Sequence, residues 1–554
     1  MVESGPLRDV ILACRDGWKV VRARGPSKIQ FWFIALVVGI AAGFAALLFR
    51  LGIDALQRLL YGTDDPSRLG SFAASLPWWW VALLPVLGGL TVGLILHWFT
   101  PDGRPRSVAD VIEGAAMSDG RVEQKEGLAS AAASLITLGS GGSSGREGPV
   151  VHLAAVISSW VSARLAADGI TGRDILGCAV AAAVSASFNA PIAGALFALE
   201  VVLRHFAVHA FAPIAIASVA GTVINRLQFG EITEFRIAQE PLLAFYVELP
   251  AFLLLGLLCG VVAALMMRAV FWADTLGGKI QKATRMPRYL RPAAAGVILG
   301  ALAIPFPFII GVGYETTSNA LTGELILYEA IVFAILKTIA MAVTLGGRMG
   351  GGIFSPSLMV GALTGLAFGI VATGLVPDMS GSPTVYALAG MGAVAAAVLG
   401  APISTTLIVF ELTGDWQVGI AVMVSVSLAS ALASKLVTRS FFLTQLERRG
   451  VHLAAGPQAY LLSMFRVGRI MRPLDHPNAA PEARCLELIE QGVMAEEGAT
   501  LEVAMPLFER AGAFVPVVER SDDGTPHLAG ALFQIDALRA YNRALTAVAE
   551  EEHS

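Results

Sequence analysis

Two kinds of apolar stretch follow one another along the chain. Phe31–Phe49 and Trp78–Trp98 are long and carry no Asp, Glu, Lys or Arg. Each predicts a helix able to cross the roughly 30 Å core of a bilayer. Trp78, Trp79, Trp80 and Trp98 mark the ends of the second and suit the membrane interface. From about residue 127 the apolar segments shorten and are cut by Gly, Ser and Pro, as in 129–138, 149–166, 174–185, 190–203, 353–370, 386–398 and 401–412. Longer runs intervene at 207–224, 248–273 and 325–345.

Short helices that stop inside lipid are costly. Each break frees backbone N–H and C=O groups that hydrocarbon cannot satisfy, so they persist where they line a cavity or hold an ion. Breaks at matching places in two halves of a chain predict a transport site between the halves. Such a match exists. Asn189-Ala190-Pro191, followed by Glu200, parallels Gly400-Ala401-Pro402, followed by Glu411, with the same Pro-to-Glu separation. A Gly-rich turn lies upstream of each: Gly145-Arg146-Glu147-Gly148-Pro149 and Gly351-Gly352-Ile353-Phe354-Ser355-Pro356.

The flanks set the expected orientation. Arg8, Arg15, Lys19, Arg22, Arg24 and Lys28 precede the first apolar run, and Lys435, Arg439, Arg448 and Arg449 follow the last. Basic flanks stay on the cytoplasmic side, so both termini are expected there, the first as a basic interfacial helix within 1–29. No signal peptide is visible. Beyond 451 the composition becomes that of a soluble domain. Residues 490–545 read as helix (Thr500–Ala511), strand (Phe514–Val518), turn (Ser521–Gly524), strand (Leu528–Phe533) and helix (Gln534–Tyr541).

Composition agrees. Of 554 residues 55% are hydrophobic and only 15% charged, where a soluble protein carries roughly 25%. The 58 glycines suit close helix packing in lipid. A net charge of −4 indicates no nucleic-acid partner. Cys14, Cys178, Cys259 and Cys485 form no CxxC pair, so neither a metal site nor a disulfide framework is expected.

The turn Gly139–Pro149 runs into a Pro suited to a first helical turn. Free N–H groups at a helix start attract anions, with less grip than a full Lys or Arg charge would exert on an ion that must leave again. Glu147 lies in this turn, and an ionisable group at membrane depth is a functional candidate. Deprotonated, its carboxylate can fill the anion's place; protonated, it loses that attraction and swings aside. The alternative is a first-turn Glu that complements the helix dipole or pairs with Arg146. The amides of Ile353 and Phe354 are candidate donors to the same anion; the alternative is an ordinary glycine-rich junction.

These two turns, with the two Ala-Pro helix starts, resemble the CLC family of chloride channels and chloride/proton antiporters over roughly residues 30–450. The resemblance implies an all-α integral membrane fold with inverted repeats, about 30–225 and 243–450, and a homodimer with one pore per subunit. It implies Glu147 as the gating glutamate, and chloride held near Gly145, Arg146, Gly148, Gly352, Ile353 and Phe354. No cofactor is implied. Three positions depart from the family pattern. The first anion loop, usually Gly-Ser-Gly-Ile-Pro, reads Pro105-Arg106-Ser107-Val108-Ala109-Asp110, so either Arg106 or Ser107 stands at the inner anion position. The pore tyrosine is replaced by Phe442. The inner proton-relay glutamate found in antiporters is replaced by Val201. Channel and antiporter both stay open. Residues 451–554 form a cytoplasmic α/β domain that resembles one CBS module at about 490–545, through Phe514–Val518 and Leu528–Leu532. A dimerising tail is its expected role, with adenosine nucleotide binding as the alternative.

Two other classes compete. Gly141-Gly142-Ser143-Ser144-Gly145 matches the G-x-S-x-G of serine hydrolases, with His152 the nearest base. A divalent cation transporter would need clustered acids, whereas Glu147, Glu200, Glu329 and Glu411 are scattered.

Overall fold

The computed structural model describes residues 27–552 except 64, 166, 168, 207, 231–234, 238–244, 378–379, 452, 454–461, 463–464 and 521–525. The basic segment before residue 27, Cys14 and the Ser521–Gly524 turn lie outside the described residues.

The first half contains α1 (Lys28–Tyr61), α2 (Leu69–Ser75), α3 (Trp78–Phe99), α4 (Val108–Met117), α5 (Gln124–Gly139), α6 (Glu147–Leu165), α7 (Gly169–Phe188), α8 (Pro191–Phe197) and α9 (Val208–Phe229). The second contains α10 (Phe245–Ala283), α11 (Arg291–Ala303), α12 (Tyr314–Thr322), α13 (Leu327–Gly346), α14 (Phe354–Leu375), α15 (Pro383–Leu399), α16 (Pro402–Thr413), α17 (Trp416–Leu436) and α18 (Phe441–Glu447). Among the described residues eight helices are long and apolar enough to cross a membrane.

Helix α1 opens with a capping box: Gln30 N–H donates to Ser27 Oγ, and Ser27 N–H donates to Gln30 Oε1. It then runs 34 residues, roughly 50 Å, well past the predicted 31–49 span. The polar extension is held by protein. Gln57 is buried and its Nε2 donates to the Leu138 carbonyl at 3.1 Å.

The halves interlock through their matched segments. Helices α7 and α15 are buried around most of their circumference, and each leads into a short Pro-started helix, α8 or α16. Glu411 at the end of α16 accepts from the N–H groups of Ile192 (3.0 Å) and Ala193 (2.8 Å) at the start of α8. Glu200, in the π turn Ala198–Leu203 that continues α8, accepts from Ile403 N–H (2.9 Å), Ser404 N–H (2.8 Å) and Ser404 Oγ (2.7 Å) at the start of α16. The two short helices therefore lie antiparallel. Each supplies the carboxylate that satisfies the other's unpaired amides.

The C-terminal part has a sheet in the order β1-β4-β3-β2, from β1 (Arg472–Pro473), β2 (Ala495–Glu496), β3 (Phe514–Arg520) and β4 (Pro526–Phe533). Strands β3 and β4 pair antiparallel with Val515 opposite Leu532, while β2 and β3 run parallel. Helices α19 (Glu482–Glu490), α20 (Leu501–Ala504), α21 (Phe508–Ala511) and α22 (Gln534–Glu552) accompany it. Val467, Leu501, Val515, Val517, Leu532 and Ala537 form a core of their own. The predicted helix Thr500–Ala511 is broken by a 3₁₀ turn at Met505–Leu507. Pro506 has no N–H to give and its ring crowds the preceding turn.

Candidate anion site between the two halves

The two glycine-rich turns meet. Gly145 N–H donates to Gly352 O and Gly352 N–H donates to Gly145 O, both at 2.7 Å. This two-bond bridge ties the start of α6 to the start of α14. Gly351 has φ of 105°, and a Cβ there would stand 2.0 Å from Ser144 Oγ. A Cβ on Gly145 would stand 2.6 Å from Glu147 Oε2 and 3.0 Å from Ser355 N. Glycine at both positions lets the turns approach this closely.

Glu147 is the first residue of α6, yet its side chain serves the other half. It is 2% exposed. Its Oε1 accepts from Ser355 Oγ at 2.5 Å and its Oε2 accepts from Ser355 N–H at 3.4 Å. The glutamate expected to gate thus sits on the N-terminus of α14, where unpaired amides favour negative charge. Phe354 is fixed beside it by the rings of Phe188 (4.7 Å between centroids) and Phe197 (5.7 Å).

A cavity of about 280 Å³ opens below. Glu147, Gly148, Gly352, Ile353 and Phe354 line one end, and Ser107, Phe442 and Gln445 also face it. Of the two candidates in the first anion loop, Ser107 lines the cavity and Arg106 does not. Arg106 is held by Asp102 at 2.9 Å and Glu123 at 3.0 Å. Burial raises the Asp102 carboxyl, but hydrogen bonds from Arg106 and Arg104 outweigh it and hold it at about 2. Ser107 caps α4, with its N–H donating to Asp110 Oδ2 at 2.7 Å. Phe442 packs edge-on against Phe441 and offers no hydroxyl.

Other expected contributors stand elsewhere. The guanidinium of Arg146 donates to Ser187 O at 3.1 Å and lies over the Tyr314 ring at 5.3 Å, so its charge is directed away from the cavity. The N–H groups of Gly145 and Gly352 are both engaged in the bridge, while Gly148, Ile353 and Phe354 line the cavity. Val201 is a buried side chain of the π turn.

Sequence reasoning missed Ser355 as the partner of Glu147, although it lies in the quoted turn. It also missed Gln445, whose Oε1 is 3.5 Å from Ser107 Oγ. Arg104, Arg348, Arg448 and Arg449 line the cavity too. Arg449 pairs with Asp110 at 2.7 Å, and Arg448 donates to Thr275 Oγ1 at 2.7 Å while lying over Phe271. Against the lining acids Glu147 and Asp274, these four arginines leave the cavity wall net positive.

The rival chemistries find other roles for their residues. Ser143 Oγ donates to the Ile309 carbonyl at 2.8 Å, an oxygen that also receives the ammonium of fully buried Lys337 at 3.1 Å. That places Ser143 in a structural hydrogen bond, with a carbonyl where a hydrolase needs an imidazole. Glu200 and Glu411 cap helices, and Glu329 accepts from Ile326 N–H at the start of its own helix. The scattered carboxylates each serve a separate helix start.

The family model described as voltage gated chloride channel matches residues 88–434. A ClcB-like protein of Ralstonia nicotianae is 33% identical over 396 residues, covering 71% of this chain and 91% of the relative. The voltage-gated ClC-type chloride channel ClcB of Escherichia coli is 30% identical over 416 residues, covering 74% and 97%. The fold is shared with a slow cyanobacterial Cl−/H+ antiporter (TM-score 0.67, 22% identity, 76% of this chain and 98% of that one). It is also shared with a eukaryotic CLC transporter (TM-score 0.65, 19% identity, 94% and 98%). With its paired turns, swapped helix caps and multi-pass membrane helices, the chain belongs to the CLC family of voltage-gated chloride channels and transporters, which are not enzymes.

Proposed function

We propose that the protein moves chloride, or a similar monovalent anion, across a membrane through a pore in each subunit, gated by Glu147. One observation carries the reading: the Glu147 carboxylate from one half rests on the start of α14 from the other, in a cavity whose lining carries four arginines. A carboxylate and a halide compete for the same unpaired amides. With Glu147 charged, the site is filled and the path is closed. With Glu147 protonated, its hold on Ser355 weakens and chloride takes the amides of Ile353 and Phe354. Ser107 and Gln445 flank the inner approach. The transported anion is the substrate, and transport needs no cofactor.

The remaining assignments belong to the same reading. Residues 30–450 form the transport domain, in repeats of about 30–225 and 243–450. Two such chains form a dimer in the cell membrane, with both termini cytoplasmic. Residues 451–554 hold a single CBS-like module at about 490–545, whose role is dimer contact; adenosine nucleotide binding in a CBS cleft is the alternative. Coupled chloride/proton antiport is the second reading, prompted by the cyanobacterial antiporter that shares the fold. Against tight coupling, Val201 carries no proton and the adjacent Glu200 is occupied as a cap.

Purified protein in liposomes under crossed chloride and pH gradients tests both. Chloride flux that rises as pH falls, and becomes flat in Glu147→Gln, is expected. An unchanged pH profile in the variant contradicts the gate. Protons pumped at fixed stoichiometry by a chloride gradient establish the antiporter.

A further inference from the structure

One helix stands behind both loops that end in the anion cavity. Helix α5 carries Ser130, Ser134 and Thr137, at spacings of four and three, so the three hydroxyls share one face. All three residues are buried. The Arg106 N–H donates to Ser130 Oγ at 2.8 Å, one residue before Ser107. The Gly351 N–H donates to Ser134 Oγ at 3.1 Å, two residues before Ile353. Thr137 Oγ1 donates to the Met349 carbonyl in the same second loop. The loop before α4 in the first half and the loop before α14 in the second are therefore hung on adjacent turns of α5, roughly 6 Å apart along its axis.

The two serines are oriented for this. Ser130 Oγ donates to Glu126 O at 2.7 Å, and Ser134 Oγ donates to Ser130 O at 2.8 Å. Each hydroxyl hydrogen is committed to the helix itself, which leaves the oxygen to accept from a loop. Alanine at either place would leave that loop N–H without its acceptor and free the loop to shift. The fit at Ser134 is close: a Cβ on Gly350 would stand 2.9 Å from Ser134 Oγ. Both gripped loops line the cavity, through Pro105 and Ser107 on one side and Gly350 and Gly351 on the other, whereas neither serine does.

We propose that Ser130 and Ser134 are positioning residues for anion selectivity. By pinning loops from both halves to one helix, they fix the span between Ser107 on one wall and the Ile353 and Phe354 amides on the other. A fixed span discriminates by ionic size, and a freed loop adapts to larger halides. The proposal rests on the transport reading, because it concerns the anion that the two loops would hold.

The test measures chloride and iodide on the full chain at acidic pH, where the proposed gate is open. Flux is read from liposomes and affinity by calorimetry in detergent. Wild type, Ser130→Ala and Ser134→Ala are compared with Ser158→Ala. Ser158 is just as buried, but its Oγ donates to Ala155 O at 2.9 Å within its own helix and grips neither loop. In Ser130→Ala and in Ser134→Ala the iodide-to-chloride ratio should rise about twofold to tenfold, in flux and in affinity, as the loss of one hydrogen bond predicts. Ser158→Ala should keep the wild-type ratio. Ratios that stay at or fall below the wild-type value in both α5 variants overturn the proposal. So does a rise in all three variants that follows their loss of thermal stability, since that is general loosening. If Ser134→Ala does not fold, Ser130→Ala decides alone. Wild type that neither binds nor moves either anion strikes the transport reading instead, and this is seen before any variant is scored.

Discussion

Three glutamates reach from one half of the membrane domain to a helix start in the other, and they do not do the same thing. Glu200 and Glu411 are each held by two backbone N–H groups at 2.8–3.0 Å, and Glu200 also by Ser404 Oγ. Glu147 has one hydroxyl at 2.5 Å and one amide at 3.4 Å, and it faces a cavity. The first two are reciprocal caps with every acceptor engaged. The third also has one donor on each oxygen, but both come from a single residue, one is long at 3.4 Å, and there is space beside it. The same electrostatics therefore fastens the two halves in one region and, in the proposed gate, makes a displaceable plug in the other.

This contrast can be broken in order of expected effect. Glu147→Gln removes the competing charge; a hydrogen bond to a charged group contributes roughly 1.5–3 kcal/mol, so flux at neutral pH should rise about 10- to 100-fold and lose its pH dependence. Liposome chloride efflux across pH measures it. Glu411→Ala strips the acceptor from Ile192 and Ala193. It should destabilise the protein by about 1–3 kcal/mol in thermal unfolding, with the shape of the pH–flux curve unchanged. If Glu411→Ala flattened that curve, the division between caps and gate would fail. Ser355→Ala removes one donor from Glu147 and should raise neutral-pH flux by about fivefold, near 1 kcal/mol, with pH dependence retained. The smallest effect belongs to the mouth. Arg448→Gln should lower flux by about twofold at low salt and by little at high salt, because the field it contributes is screened.

Much of this was legible in the chain. Gly and Pro at helix starts have few substitutes, so Glu147 and the Ile353–Phe354 turn stood out. The equal Pro-to-Glu spacing in the two halves was visible as well. That each Glu serves the opposite helix was not, because spacing within a segment carries no information about its partner. The choice between Arg106 and Ser107 depended on a one-residue register. Asp102 and Glu123 hold the arginine, and of the two only Ser107 lines the cavity. Ser355 reads in sequence as an ordinary first-turn serine, and Gln445 is hidden within the basic flank. The length of α1 was missed for a related reason. Arg50 and Asp54 look like the end of an apolar span until buried Gln57, further along the same helix, is seen to donate to Leu138.

In the proposed gate a carboxylate and a chloride compete for the start of α14. Calorimetric chloride binding to detergent-purified wild type and Glu147→Gln, at neutral and acidic pH, tests it directly. Wild-type affinity should strengthen on acidification until it meets that of the variant, whose affinity should be the same at both pH values. Equal chloride affinity in the two proteins at neutral pH would contradict the account.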